Sequence, residues 1–165
     1  MPLRRKKSPS PKKKAPSPKR NSRYGIVASR FNGEITRSLV RGALSFFGQR
    51  GIHKAQVPLM WVPGAFELPV AALRLAKSGK VNAVVAVGCI LEGETPHWSY
   101  LSQATLQGLT FASVFSGIPV TCGVITARHW KDAVNRAQEK GVNRGWEAAE
   151  AAWNLVQELK RSDSR

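Results

Sequence analysis

Apolar positions along this chain change their period repeatedly, from unbroken runs to helical spacing and back. Tyr24–Ser29 (YGIVAS) is a short apolar run fit for a buried strand. Between Glu34 and Arg50, the residues Ile35, Leu39, Val40, Ala43, Phe46 and Phe47 recur at the spacing of one helix face, and Gly48 and Gly51 supply stop signals. Gln56–Val62 predicts a second strand, closed by Pro63-Gly64. Phe66–Lys77 predicts a helix, with Pro69 early enough to be tolerated and Gly79 beyond its end. Asn82–Ile90 (NAVVAVGCI) is continuously apolar, as a strand covered on both faces must be. Pro96–Phe115 reads as a helix and Pro119–Ile125 as a fourth strand, and helices over Trp130–Glu139 and Asn143–Arg161 complete the chain.

Strands that alternate with helices predict an α/β domain: a four-stranded parallel sheet between two helical layers. Ligands of such sheets bind beyond the carboxyl ends of the strands. That rule selects Ser29–Asn32, Val62–Glu67, Leu91–His97 and Thr126–His129 before any motif is considered.

Composition changes the picture at the N-terminus. The chain has 165 residues, enough for one domain with a proper core, and a formal charge of +16. Residues 1–23 hold ten cations and no acid, whereas the remainder holds 16 cations and 10 acids. The high charge therefore belongs mostly to a tail rich in Lys, Arg, Pro and Ser, which cannot bury enough surface to fold and is expected to be disordered. The folded domain is expected over residues 24–165. No run reaches the length of a membrane span, and the start lacks the apolar core of a secretory signal, so a cytoplasmic protein is expected. A plastid address is a minor alternative, because transit peptides are seldom so dense in Lys and Pro. Cys89 and Cys122 sit in apolar runs, as small buried hydrophobes of a reducing compartment do. Two Cys and three His in no metal-like spacing argue against a structural zinc site.

Each strand-end segment carries candidate chemistry beside a plainer structural reading. In LEGETPHW, Gly93 allows a tight turn, Thr95 suits a helix N-cap and Pro96 the first helical position. Free N–H groups at such a helix start bind anions, and His97 in that first turn can accept and return protons. The plainer reading is a capped helix with an exposed histidine. In VPGAFELP, Gly64-Ala65 lets a ligand approach the backbone, and Glu67 is a lone carboxylate in apolar surroundings. It is either an acceptor for hydroxyls or amines, or a first-turn acid favoured by the helix dipole. Phe31 in SRFN is either an exposed ring for stacking a flat heterocycle or a peripheral core contact. Arg136 and Lys140, four apart, share a helix face and are either a phosphate clamp or a solvated basic face.

SRFN, VPGAFELP, the Gly-x-Thr-x-His element of GETPH and the late Arg136–Gly145 stretch occur in one order and at close spacing. Over about Tyr24 to Leu159 the chain resembles the lumazine synthases (6,7-dimethyl-8-ribityllumazine synthase). The resemblance implies a flavodoxin-like domain that condenses 5-amino-6-ribitylaminouracil with 3,4-dihydroxy-2-butanone 4-phosphate, releasing phosphate and water, in riboflavin biosynthesis. It implies no metal and no organic cofactor. Carried over by motif, Phe31, Ala65, Phe66, Glu67, Ile90, Leu91 and Cys122 would surround the pyrimidine and ribityl groups. Gly93, the backbone around Glu94-Thr95 and the guanidinium of Arg136 would hold the phosphate, and His97 would move protons. The resemblance further implies a pentamer in which Phe31 and Arg136 of one site come from different subunits. In that arrangement the imidazole and anion pocket of one chain meet the aromatic platform of its neighbour. The short Gln138–Asn143 turn, without the insertion of pentamer-only members, favours a larger icosahedral shell.

Three positions depart from the common family pattern. Glu92 adds an acid beside the expected phosphate site, Asn135 stands where many members carry Glu, and Cys122 replaces an aromatic ring. The tail keeps two readings. Its Ser-Pro-Lys stretches resemble basic DNA-associated tails, which would contact nucleic acid without sequence preference. Charge runs more often serve as solubilising extensions. Two alternatives to the enzyme remain: a non-catalytic shell protein that packages polyanions, and another phosphate-binding domain of the same fold.

Overall fold

The computed structural model describes residues 22–138 and 142–164. Its order is β1 (Tyr24–Ser29), α1 (Gly33–Gln49), a 3₁₀ turn (Lys54–Gln56), β2 (Leu59–Val62), α2 (Leu68–Ala76), β3 (Ala83–Leu91), α3 (His97–Ser116), β4 (Val120–Ala127), α4 (Trp130–Asn135) and α5 (Arg144–Ser162). All strand pairs are parallel, in the spatial order β2-β1-β3-β4. This is the expected three-layer α/β/α domain with the flavodoxin-like strand order. The central strands β1 and β3 are buried almost throughout, whereas the edge strands β2 and β4 mix buried and exposed positions. Continuous apolar runs thus mark the strands with a helix layer on each side.

Two hydrophobic clusters separate across the sheet. On one face, Leu39, Phe46 and Phe47 of α1 and Ala149 and Trp153 of α5 pack on Ile26, Val85 and Val87. Tyr24 stacks between Phe47 and Trp153, with ring centroids 4.8 and 5.8 Å away. On the other face, Leu68, Ala72 and Leu75 of α2 and Leu109 and Ala112 of α3 pack on Val27, Val84 and Ala86.

The differences from expectation have local causes. Strand β2 begins at Leu59 and not at Gln56, because Lys54–Gln56 winds into a 3₁₀ turn and Pro58 has no N–H to offer a ladder. The turn is closed from both sides: the Ala55 N–H donates to His53 Nδ1 (3.3 Å) and the His53 N–H to Gln56 Oε1 (2.8 Å). Helix α3 begins one residue late. Pro96, not Thr95, occupies the N-cap, and no side chain caps the helix.

Helix α4 ends at Asn135, short of Glu139, because its next carbonyls find partners elsewhere. The Arg144 N–H donates to the Arg136 carbonyl (2.9 Å), Ser38 Oγ to that of Ala137 (2.5 Å) and Asn143 Nδ2 to that of Gln138 (3.2 Å). Arg136 is therefore the residue that leaves the helix. Lys140 lies outside the described residues, as do Met1–Asn21 of the tail and residues 139–141 of the turn before α5. The last two tail residues are tied to the domain. Arg23 N–H donates to Asn82 Oδ1 (2.9 Å), the Asn82 N–H returns to the Arg23 carbonyl (2.7 Å), and Lys160 Nζ donates to Ser22 Oγ (2.8 Å).

Candidate functional site

The chain runs from β1 to β2 on one side and later crosses to β3 on the other, so β1 and β3 flank the switch point of the sheet. A cavity of about 400 Å³ lies beyond their carboxyl ends. Loops after β1, β2 and β3 all reach it, and each is fixed by backbone bonds that the sequence makes available.

After β1, the Arg30 and Phe31 N–H groups donate to the carbonyls of Val62 (2.8 Å) and Pro63 (3.1 Å). These bonds lay the first loop along the second. Asn32 then takes a left-handed conformation (φ 52°, ψ 42°), the only non-glycine among the described residues with positive φ. Asparagine tolerates that region better than most residues. Its side-chain amide donates to the Cys89 carbonyl (2.9 Å), which joins the β1 loop to β3, while its own carbonyl accepts the Thr36 N–H (3.1 Å) and starts α1. The result holds the Phe31 ring 71% exposed at the cavity wall. Asn32→Ala should lower stability by about 1–2 kcal/mol, the combined cost of the left-handed backbone and one lost hydrogen bond. Asn32→Gly should recover the backbone part in urea denaturation, and equal losses in the two variants would contradict the assignment.

After β2, the Gly64 N–H donates to Glu67 Oε2 (2.8 Å). Glu67 is the N-cap of α2 and not a residue of its first turn. Its carboxylate closes the Pro-Gly turn and still has acceptor capacity for a ligand, since a carboxylate offers about four lone-pair sites. The Ala65 carbonyl accepts from Leu68 N–H (3.2 Å) and the buried Thr105 hydroxyl (3.4 Å), which fixes this loop between α2 and α3. Ala65, Phe66 and Glu67 all line the cavity.

From β3 and the loop after it come Cys89, Ile90, Leu91, Gly93, Thr95 and His97, with Trp98 and Leu101 behind them on α3. Burial pushes the Cys89 thiol up to about 11, so it stays neutral and forms an unreactive wall. Gly64 lines the cavity beside Ala65, whereas Trp98, Leu101 and Cys89 were not among the residues expected to meet the ligand. Spacing held a partial signal, because Leu101 follows His97 by one helical turn.

Three expected site residues lie outside this cavity: Glu94, Cys122 and Arg136. Cys122 is exposed on edge strand β4 and is not the buried small hydrophobe that its apolar run suggested. Arg136 lines a second cavity of about 410 Å³ at the end of β4, with Thr126, Arg128, His129, Asp132 and Asn135. Phe31 and His97 therefore share one cavity of one chain, and the expectation that the aromatic platform reaches the imidazole from a neighbour is corrected. Glu92, an acid expected to trouble anion binding, faces Arg128 at 3.6 Å in an exposed ion pair. Among the described residues, no three His, Cys, Asp or Glu side chains gather as metal ligands would. None of the described helices is long and apolar enough to cross a membrane.

What gathers at the switch point is thus an exposed aromatic ring, a carboxylate, close backbone and an imidazole at an uncapped helix start. Such a set can stack a flat ring, accept hydrogen bonds from hydroxyls and relay protons. The model of the 6,7-dimethyl-8-ribityllumazine synthase family matches residues 21–160, most of the chain.

Proposed function

The chain belongs to the 6,7-dimethyl-8-ribityllumazine synthase family, transferases of riboflavin biosynthesis, and from that membership we propose its reaction and the division of labour in its site. It condenses 5-amino-6-ribitylaminouracil with 3,4-dihydroxy-2-butanone 4-phosphate and releases phosphate and water. The observation that carries this reading is the single cavity shared by Phe31, Glu67 and His97. Phe31 stacks on the pyrimidine, and Ala65 and Glu67 hold the ribityl chain. The backbone N–H groups around Gly93, Glu94 and Thr95 and the opening of α3 take the phosphate together with an arginine. His97 moves protons during imine formation, phosphate loss and ring closure.

Energetically, most of the work is positioning. An amine attacks a ketone, and bringing the two substrates together in near-attack geometry can remove about 7–11 kcal/mol of barrier. Proton transfer by one histidine adds roughly 10²–10⁴-fold. His97 is exposed on the first turn of α3, so His97→Ala should fall at the low end, with kcat reduced about 10²-fold. The defining experiment follows lumazine formation from the two purified substrates. Turnover by the native protein that drops in His97→Ala supports the reading. No turnover by the native protein ends it and leaves a scaffold in its place.

The arginine of the phosphate site is Arg136 of a second copy. In one chain it faces a different cavity from His97, which is the arrangement a site shared between subunits needs. A strip of α3 supports an assembly: Tyr100, Phe111, Val114 and Phe115 are well exposed, and the rings of Phe111 and Phe115 stack at 5.8 Å. Apolar patches of this kind mark protein interfaces. Five copies closing a ring, and rings closing a shell, is the assembly we expect, and the native mass measured in solution tests it.

A further inference from the structure

We infer that the strand-start end of the domain, together with the basic segment ahead of it, is a binding surface for nucleic acid, held through the phosphates and blind to sequence. The lumazine reaction uses neither part. The catalytic cavity opens at the carboxyl ends of the strands, whereas the N-terminal segment joins the domain at the opposite end, where β1 and β3 begin. There Arg23 is fixed to the domain: its backbone pairs with Asn82 and its guanidinium donates to the Gly79 carbonyl (3.1 Å).

Cations outnumber acids at this end. Arg23, Arg74, Lys77 and Lys80 are exposed, the last three on or just past the final turn of α2. The negative end of that helix dipole makes the cluster tolerable within the fold. No acid lies between Glu67 and Glu92 in the chain, and none precedes Glu34. Two acids stand at this end on α5 and its C-cap: Glu158, which pairs with Arg161, and Asp163, which follows Lys160 and Arg161. The chain ahead of Arg23 adds nine further cations between Arg4 and Arg20. A duplex presents one phosphate charge per ~1.7 Å of axis, so a run this dense can engage several phosphates at once.

The chemistry selects nucleic acid over a lipid surface. After Met1, Leu3 is the only large apolar side chain in the first 23 residues, so little can enter a bilayer to support electrostatic adhesion. The same stretch has no aromatic residue, so bases are not stacked and affinity comes from phosphate contacts alone.

The test uses the full chain and a fluorescent 30-base-pair DNA duplex, with anisotropy read at 50 and 200 mM KCl. Binding at low salt should weaken by at least ~10³-fold across that range, and scrambling the sequence should change affinity less than about threefold. Replacing the nine cations of residues 4–20 by Gln in the full chain should cost at least ~10²-fold at low salt. A Lys77→Gln/Lys80→Gln variant should lower the slope of log affinity against log salt by about 1–2. The thermal midpoint of both variants should match the native protein, which separates lost binding from lost folding. Three results would overturn the inference: no DNA binding at 50 mM, undiminished binding by the nine-site variant, or binding to phosphatidylserine vesicles but not to DNA. None of these bears on lumazine formation, so the enzymatic reading stands or falls separately.

Discussion

Gly145→Ala should lower the free energy of unfolding by about 3 kcal/mol, at the top of the ordinary range for overpacking a close contact. A Cβ at position 145 would overlap the Leu39 carbonyl group, and backbone atoms cannot rotate aside. Facing it on α1, a Cβ at Gly42 would overlap the Asn143 side-chain amide. The start of α5 lies against α1 only because both positions lack a side chain. Alanine is better than glycine inside a helix by at most ~1 kcal/mol, too little to offset the clash. Gly48→Ala is the matched comparison. It lies on α1, where a Cβ would meet nothing within 4 Å, so that variant should be unchanged or up to ~1 kcal/mol more stable. Urea denaturation of the pair decides the matter, and equal losses would refute the packing argument.

This contact bears on the site as well as on stability. Asn143 caps α5 by accepting from Gly145 N–H (2.9 Å) and Trp146 N–H (3.1 Å), and its amide nitrogen donates to the carbonyls of Ser38 and Gln138. Ser38 Oγ in turn holds the Ala137 carbonyl. The backbone on both sides of the turn before α5 is thus fastened to α1, with Arg136 at its edge. Forcing α5 away from α1 would move the arginine along with the helix.

How much of this was legible in the sequence depends on how local its cause is. The continuous run 82–90 and the helical spacing of Ile35–Phe47 predicted their elements closely, because burial on two faces or one imposes a period on the chain itself. The loops carrying Phe31, Ala65, Glu67 and His97 were legible too, since parallel sheets place ligands at strand ends. Helix α4 was overextended because tertiary partners for the Arg136, Ala137 and Gln138 carbonyls leave no mark in helical spacing. Trp98 and Cys89 went unread as cavity lining for a similar reason. Both look like ordinary core residues until α3 and β3 fix which side they face. Cys122 failed in the other direction. Its apolar run suggested burial, but β4 is an edge strand and leaves that position exposed.

Arg136→Ala should cut kcat/KM for the phosphate-bearing substrate by about 10²–10³-fold, the usual loss when one preorganised donor to a developing anion is removed. Lysine at that position should recover only part, because it offers a point charge where arginine offers a planar fork. The stronger result concerns mixing. Arg136→Ala and His97→Ala are each impaired alone, yet each keeps the group the other lacks. If neighbouring subunits complete one another's sites, a ring assembled at random from equal amounts contains intact sites. Half of the chains supply His97 and half of the adjoining chains supply Arg136, so roughly a quarter of the sites should work, as the head-to-tail geometry of a cyclic ring requires. Co-refolded mixtures should therefore regain about a quarter of native activity, while separately assembled proteins mixed without exchange should show only the sum of their residual rates. A site built within one chain gives a different result: every chain in the mixture is defective, and co-assembly restores nothing. The positions of Phe31 and His97 in one cavity and Arg136 in another favour the first outcome. A co-refolded mixture no more active than its components would place the phosphate arginine elsewhere.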